Sequence, residues 1–126
     1  MTQKEISVVL VDDHINFRNE LANVIDSFSE FVVPWQADNG KHLIKQLALG
    51  SAPDIVLLDI NMPEMDGFET VAWLHQHYPA IKVLAISTYD NEKTINRMLS
   101  LGALGFVLKD VEPVEMKAAL LEVAEK

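Results

Sequence analysis

The chain has 126 residues, a length that fits one domain, and its 49% apolar and 23% charged composition is that of a folded globular protein rather than a disordered one. It contains no cysteine, which excludes disulfide frameworks, thiolate metal sites and cysteine nucleophiles together. The net charge of −9 is spread evenly, nine acids against four bases in residues 1–63 and ten against six in 64–126, so neither half offers the basic patch that phosphate-backbone binding needs.

In chain order, Ile6–Val11 is a near-continuously apolar, β-branched-rich run, the pattern of a parallel strand buried on both faces. Phe17, Leu21, Val24, Ile25 and Phe28 then recur at helical spacing. Phe31–Ala37 is a second, weaker strand, and Pro34 within it removes a ladder donor, which places it at a sheet edge. Leu43, Leu47 and Ala48 mark a second helix that stops at Gly50. Ile55–Leu58 is the third strand, followed by a helix over Asp66–His77 with Phe68, Val71 and Ala72 inward, Asp66 as its N-cap and Pro79 beyond its end. Ile81–Ile86 is the fourth strand. Ile95, Met98 and Leu99 mark the next helix, closed by Gly102. Leu104–Leu108 is the fifth strand, and Val114, Ala118 and Leu121 mark a last helix that begins near Pro113. Five βα units in succession predict a single α/β domain over residues 1–126, a doubly wound parallel sheet with helices on both faces and right-handed crossovers.

Ligands of open α/β sheets bind outside the carboxyl ends of the strands. Asp12 and Asp13 follow the first strand, Asp59 the third, Ser87 the fourth and Lys109 the fifth. Each alone reads as a cap, a turn residue or a solvated side chain. Together, three carboxylates on one sheet edge repel one another unless a cation joins them. An all-oxygen set without His or Cys suits a hard ion that keeps several waters, which is Mg²⁺ rather than Ca²⁺ or a transition metal. Asp59, central among these residues, is the candidate nucleophile for an acyl phosphate, Asp12 and Asp13 the candidate metal ligands, and Lys109 a fixed charge for phosphoryl oxygens. His14 is expected to cap a helix or face solvent, and His75 and His77, two residues apart on a helix, do not share a face.

VVLVDDH, IVLLDINMPEMDG, AIST and GALGFVLKD together resemble the receiver domain of bacterial two-component response regulators, from Ile6 to about Val123. The resemblance implies a flavodoxin-like (βα)5 fold with strand order 2-1-3-4-5. It implies that Asp59 accepts a phosphoryl group from a sensor histidine kinase or phosphotransfer protein. It further implies Mg²⁺ held by Asp13, Asp59 and the Asn61 backbone carbonyl, with Asp12 acting through water. Ser87 and Lys109 would contact the phosphoryl oxygens, and Phe106 would be the switch aromatic. The chain departs from the common pattern at Asp110, where proline is frequent, at Thr88, bulkier than usual and narrowing phosphoryl access, and at Phe106, which lacks the hydroxyl of the frequent tyrosine. Asn61, Thr88 and Tyr89 are expected to tune water access and phosphate lifetime.

GALGFVLKD with VDDH is similar to receivers of the LuxR/NarL type, which precede a DNA-binding domain. The resemblance therefore implies the receiver part of a transcriptional regulator, with a stand-alone receiver acting by protein contact, and homodimer formation, left open. On this reading the chain is a signalling module, not a turnover enzyme, apart from catalysing phosphoryl transfer to and hydrolysis from its own Asp. A Mg²⁺-dependent phosphatase usually needs a second acid two residues after its nucleophile, and here that residue is Asn61. A nucleotide or flavin carrier needs phosphate-cradling N–H groups in the first βα turn, where this chain has DDHIN. No apolar run nears the ~18 residues of a membrane span, and MTQKEISVVLVDDH places carboxylates early, so a cytoplasmic location without direct membrane or DNA contact is expected.

Overall fold

The computed structural model describes residues 5–126. The elements are β1 Ile6–Val11, α1 Ile15–Ser27, β2 Phe31–Val32, β3 Gln36–Ala37, α2 Gly40–Leu49, β4 Ile55–Asp59, α3 Gly67–His77, β5 Lys82–Ser87, α4 Glu92–Ser100, β6 Gly105–Leu108 and α5 Pro113–Glu125. All strand pairs are parallel, and the sheet runs β2-β1-β4-β5-β6 with β3 also paired to β1. With β2 and β3 sharing one edge position, this is the predicted 2-1-3-4-5 order.

The edge strand differs from its prediction. Phe31–Ala37 is not one strand but two short segments, with Ile6 and Ser7 opposite Phe31 and Val32, and Leu10 and Val11 opposite Gln36 and Ala37. Pro34 has no N–H to give the ladder and biases Val33 before it, so pairing stops and resumes.

The apolar strands alternate between two cores. Val9, Val11, Val56 and Leu58 face α2, α3 and α4, meeting Leu43, Leu47, Val71, Leu74 and Met98. Val8, Leu10, Ile55 and Leu57 face α1 and α5, meeting Ala22, Ile25, Met116, Leu120 and Val123. Covering both faces is what makes the strands near-continuously apolar. Among the described residues, no helix is long and apolar enough to cross a membrane.

One helix face turns out rotated from its prediction, and three others keep their predicted core but expose one predicted residue each. In α5 the buried stripe is Met116, Leu120 and Val123, whereas Val114 is 73% exposed, Ala118 is exposed and Leu121 only half-buried. Both triplets share the i, i+4, i+7 spacing, and the bulkier set fills the space over β5 and β6. Ala72, Ala48 and Leu99 are likewise exposed, while Leu74 of α3 is buried.

Helix ends follow local chemistry. Asp66 caps α3: its side chain accepts from the Glu69 N–H at 2.9 Å, and Glu69 Oε1 accepts from the Asp66 N–H at 3.3 Å. Asp66→Ala is expected to cost about 1 kcal/mol, read as a lowered urea midpoint with unchanged slope. After α4, Gly102 adopts φ +126°, and its N–H donates to the Leu99 carbonyl at 3.2 Å, closing the helix as predicted.

Candidate functional site

Two strands run one residue further than their apolar runs, so Asp59 is the last residue of β4 and Ser87 the last of β5. Both are buried, at 2% and 3% exposure, as is Asp12 just beyond β1 at 4%. Lys109 follows β6, and its backbone N–H donates to the Ser87 carbonyl at 2.9 Å, which extends the β5–β6 ladder and fixes the lysine at this edge.

The first βα turn is built by Asp12 itself. Its Oδ1 accepts from the His14 N–H at 2.8 Å, an Asx-type turn that swings the chain into α1 and displays Asp13 and His14 beside it. Lys109 Nζ then reaches in from the far side, 2.8 Å from Asp12 Oδ2 and 3.6 Å from Asp59 Oδ1, and lies over the Phe17 ring at 4.9 Å from the centroid.

Asp12, Asp13, His14 and Asp59 each present a ligand atom, all within 4.8 Å of one another. Asp12 Oδ2, Asp13 Oδ1 and Asp59 Oδ2 are buried and accept no hydrogen bond; the contact of Lys109 with Asp12 is an ion pair not aligned as one. Such oxygens are costly to leave bare, and a hard divalent cation is the partner their chemistry fits. Burial pushes the Asp59 carboxyl up to about 7; the Asp12 charge adds to this, Lys109 partly offsets it, Asp13 raises it further and His14 lowers it. One ammonium therefore does not neutralise the three acids.

The predicted residues distribute as follows. Asp12, Asp13, Asp59 and Lys109 converge. Ser87 Oγ accepts from the Tyr89 N–H at 3.2 Å. Asn61 is exposed and lines a cleft of about 460 Å³ with Asp13, Met62, Pro63 and Asp66. Thr88 lines a second cleft of about 410 Å³ with His14, Phe17, Lys109 and Asp110. Tyr89 is 72% exposed. Phe106 is half-buried on β6 against the α3–α4 side of the core.

His14 is where sequence reasoning fell short. Its side chain is 62% exposed and makes no cap, as solvent-facing predicts, yet its Nδ1 lies 3.1 Å from Asp12 Oδ1, 3.7 Å from Asp13 Oδ1 and 3.1 Å from Lys109 Nζ. Its position directly after two acids was the available signal.

The family model of the response regulator receiver domain matches residues 8–121. The chain is 33% identical over 125 residues to the transcriptional regulatory protein DegU of Brevibacillus brevis, covering 99% of this chain and 52% of that protein. It is 34% identical over 122 residues to the nitrate/nitrite response regulator protein NarL of Escherichia coli K12, covering 97% and 56%. It thus spans about half the length of the curated relatives it matches. Its structure superposes on the signal receiver domain of the putative response regulator NarL from Mycobacterium tuberculosis with a TM-score of 0.90, at 32% identity and 98% coverage of both chains. With its sheet order, its acidic edge and these matches in agreement, the chain belongs to the response regulator receiver domain family, in the company of NarL and DegU.

Proposed function

We propose that the chain is a phosphorylation-controlled switch in which Asp59 accepts a phosphoryl group from the phosphohistidine of a sensor kinase or phosphotransfer protein. The observation that carries this reading is the convergence of three buried carboxylate oxygens, none accepting a hydrogen bond, with the single ammonium of Lys109 at one sheet edge.

An Asp59 carboxylate oxygen attacks phosphorus and the P–N bond breaks, its electron pair staying on the donor nitrogen; with the other ring nitrogen of the phosphohistidine carrying a proton, the leaving group is a neutral imidazole and an acyl phosphate remains on Asp59. Asp13, Asp59 and the Asn61 carbonyl would hold Mg²⁺, with Asp12 acting through water. When bound, Mg²⁺ supplies the positive charge that favours the ionised Asp59 and neutralises phosphoryl oxygens. Lys109, anchored by its ladder bond to Ser87, gives a second fixed charge for those oxygens. Ser87 Oγ accepts from the Tyr89 N–H; donating its own O–H in a hydrogen bond to a phosphoryl oxygen would pull the β5–α4 loop toward the site and let Phe106 pack inward. Thr88, Tyr89 and Asn61 border the approach and set the access of water, hence the lifetime of the phosphoryl group.

The relatives are transcriptional regulators roughly twice as long, which supports a role as the receiver part of a LuxR-type regulator. At −9 this segment leaves DNA contact to another domain. We place the protein in the cytoplasm, where such kinases present their phosphohistidine, and hold homodimer formation as a consequence to be measured after phosphorylation.

Incubation with Mg²⁺ and a small acyl phosphate is expected to add one phosphoryl group to the wild type, read by intact mass, and none to Asp59→Asn. Equal labelling of the variant would overturn the assignment, as would multiple turnover on phosphomonoesters.

A further inference from the structure

Outside the acidic cluster, the most heavily engaged cation among the described residues is Arg18. It sits in the first turn of α1, where its N–H donates to the His14 carbonyl at 2.9 Å, and its side chain is only 11% exposed. Nε donates to Gln36 Oε1 at 2.9 Å. Nη1 lies 2.8 Å from the Asp12 carbonyl, 3.0 Å from the Ala37 carbonyl and 2.6 Å from Asp38 Oδ1. Three acceptors around a nitrogen with two hydrogens make a shared, tightly constrained fork. The hydrogen bond from Arg18 also holds the Asp38 carboxyl below its ordinary range.

The consequence falls on Asp12. Its N–H donates to the Ala37 carbonyl at 3.1 Å, while its own carbonyl accepts from Arg18. The Asp12 peptide is therefore pinned on both sides, to β3 through one group and to α1 through the other. The direction of a Cα–Cβ bond follows from the backbone that carries it, so pinning these peptides also aims the Asp12 carboxylate and, one residue on, that of Asp13.

We infer that Arg18 is a positioning residue for the proposed metal site, clamping the turn after β1 against β3 so that Asp12 and Asp13 face Asp59. The inference rests on the functional reading above, and it is separable from a charge effect by sign. Removing a cation near three carboxylates strengthens divalent cation binding by Coulomb's law alone. Releasing the turn that aims one direct ligand, Asp13, and one that acts through water, Asp12, weakens it, and supporting hydrogen bonds of metal ligands are typically worth 10–100-fold in affinity.

The test is Mg²⁺ titration by calorimetry on the 126-residue chain and its Arg18→Ala, Arg18→Lys and Gln36→Ala variants, with amide exchange followed in the metal-free proteins. Arg18→Ala is expected to weaken Mg²⁺ binding about tenfold. Arg18→Lys, which keeps the charge but not the fork, should recover only part of it, and Gln36→Ala should weaken binding by a smaller factor. The Asp12 and His14 amides should exchange faster in Arg18→Ala while those of β4 stay protected. Unchanged or tighter binding in Arg18→Ala overturns the inference, as does full recovery by lysine. Should Arg18→Ala not fold, wild-type affinity in both Arg18→Lys and Gln36→Ala overturns it. A wild type that binds no Mg²⁺ removes the functional reading and this inference together; a wild type that binds it beside an unaffected Arg18→Ala removes the inference alone.

Discussion

In the absence of divalent cations, Asp59→Asn is expected to be more stable than the wild type above neutral pH, with the gap closing as the pH falls. Burial and the neighbouring Asp12 charge raise the Asp59 carboxyl to about 7 from an ordinary value of 3.8. A group that holds its proton more tightly when folded makes the folded state the greater proton binder between those two values. Stability therefore falls as pH rises through that window, and the full penalty is present above it. At 1.36 kcal/mol per pKa unit the penalty is on the order of 4 kcal/mol, a large share of the ~5–15 kcal/mol of a typical domain. Asparagine keeps the shape and cannot ionise. Urea unfolding of both proteins across pH should show curves that converge near pH ~4 and separate through neutrality. A gap independent of pH would sink the argument. Saturating Mg²⁺ should then restore the wild type, by about 2.7 kcal/mol at a hundredfold excess over Kd, and act far less on the variant.

Gly67→Ala is expected to cost roughly 3 kcal/mol despite alanine's better helix propensity. A Cβ at Gly67 would lie 2.6 Å from Ile60 Cα, 2.7 Å from the Asp59 carbonyl oxygen and 3.0 Å from the Ile60 carbonyl oxygen, all of them backbone. The Gly67 N–H also donates to the Ile60 carbonyl at 2.8 Å, so α3 begins in contact with the chain that carries Asp59. No rotamer change relieves such a contact, and α3 or the end of β4 must move. Gly50→Ala is the control: φ there is −154°, nothing lies within 4 Å of a Cβ, and the change should be neutral or stabilising by ~0.4–1 kcal/mol. Denaturation midpoints decide the energetic claim. A slower acyl phosphate reaction in Gly67→Ala tests whether the displacement reaches Asp59, and equal midpoints for the two variants would refute the close approach.

The strands were legible because burial on both faces leaves a signature in each strand alone, whereas their order in the sheet was implied only by the resemblance to receiver domains. Ile6–Val11 is apolar apart from Ser7, and no distant residue is needed to read it. The face of α5 was not, since Val114-Ala118-Leu121 and Met116-Leu120-Val123 have the same spacing and only the sheet beneath chooses between them. The break in the edge strand was half legible: Pro34 announced the edge, but resumed pairing at Gln36 depends on the length of β1 opposite. At the site, the acids and Lys109 were found because each ends a strand or directly follows one. The involvement of His14 depends on Lys109, 95 residues away, and that of Arg18 on Ala37 and Asp38, 19 and 20 residues away. Such meetings have no periodicity for a sequence to display.

The interrupted edge also bears on how the molecule behaves at high concentration. A long, flat outer strand is a template on which a second chain can add by backbone pairing. Here the outer position beside β1 is split into Phe31–Val32 and Gln36–Ala37 around Pro34, so an incoming strand finds two short footholds out of step with a continuous ladder. The same proline that weakened the strand signal in the sequence guards this side of the sheet against edge-to-edge growth, and leaves side-chain surfaces, rather than backbone, as the means by which two copies can meet there.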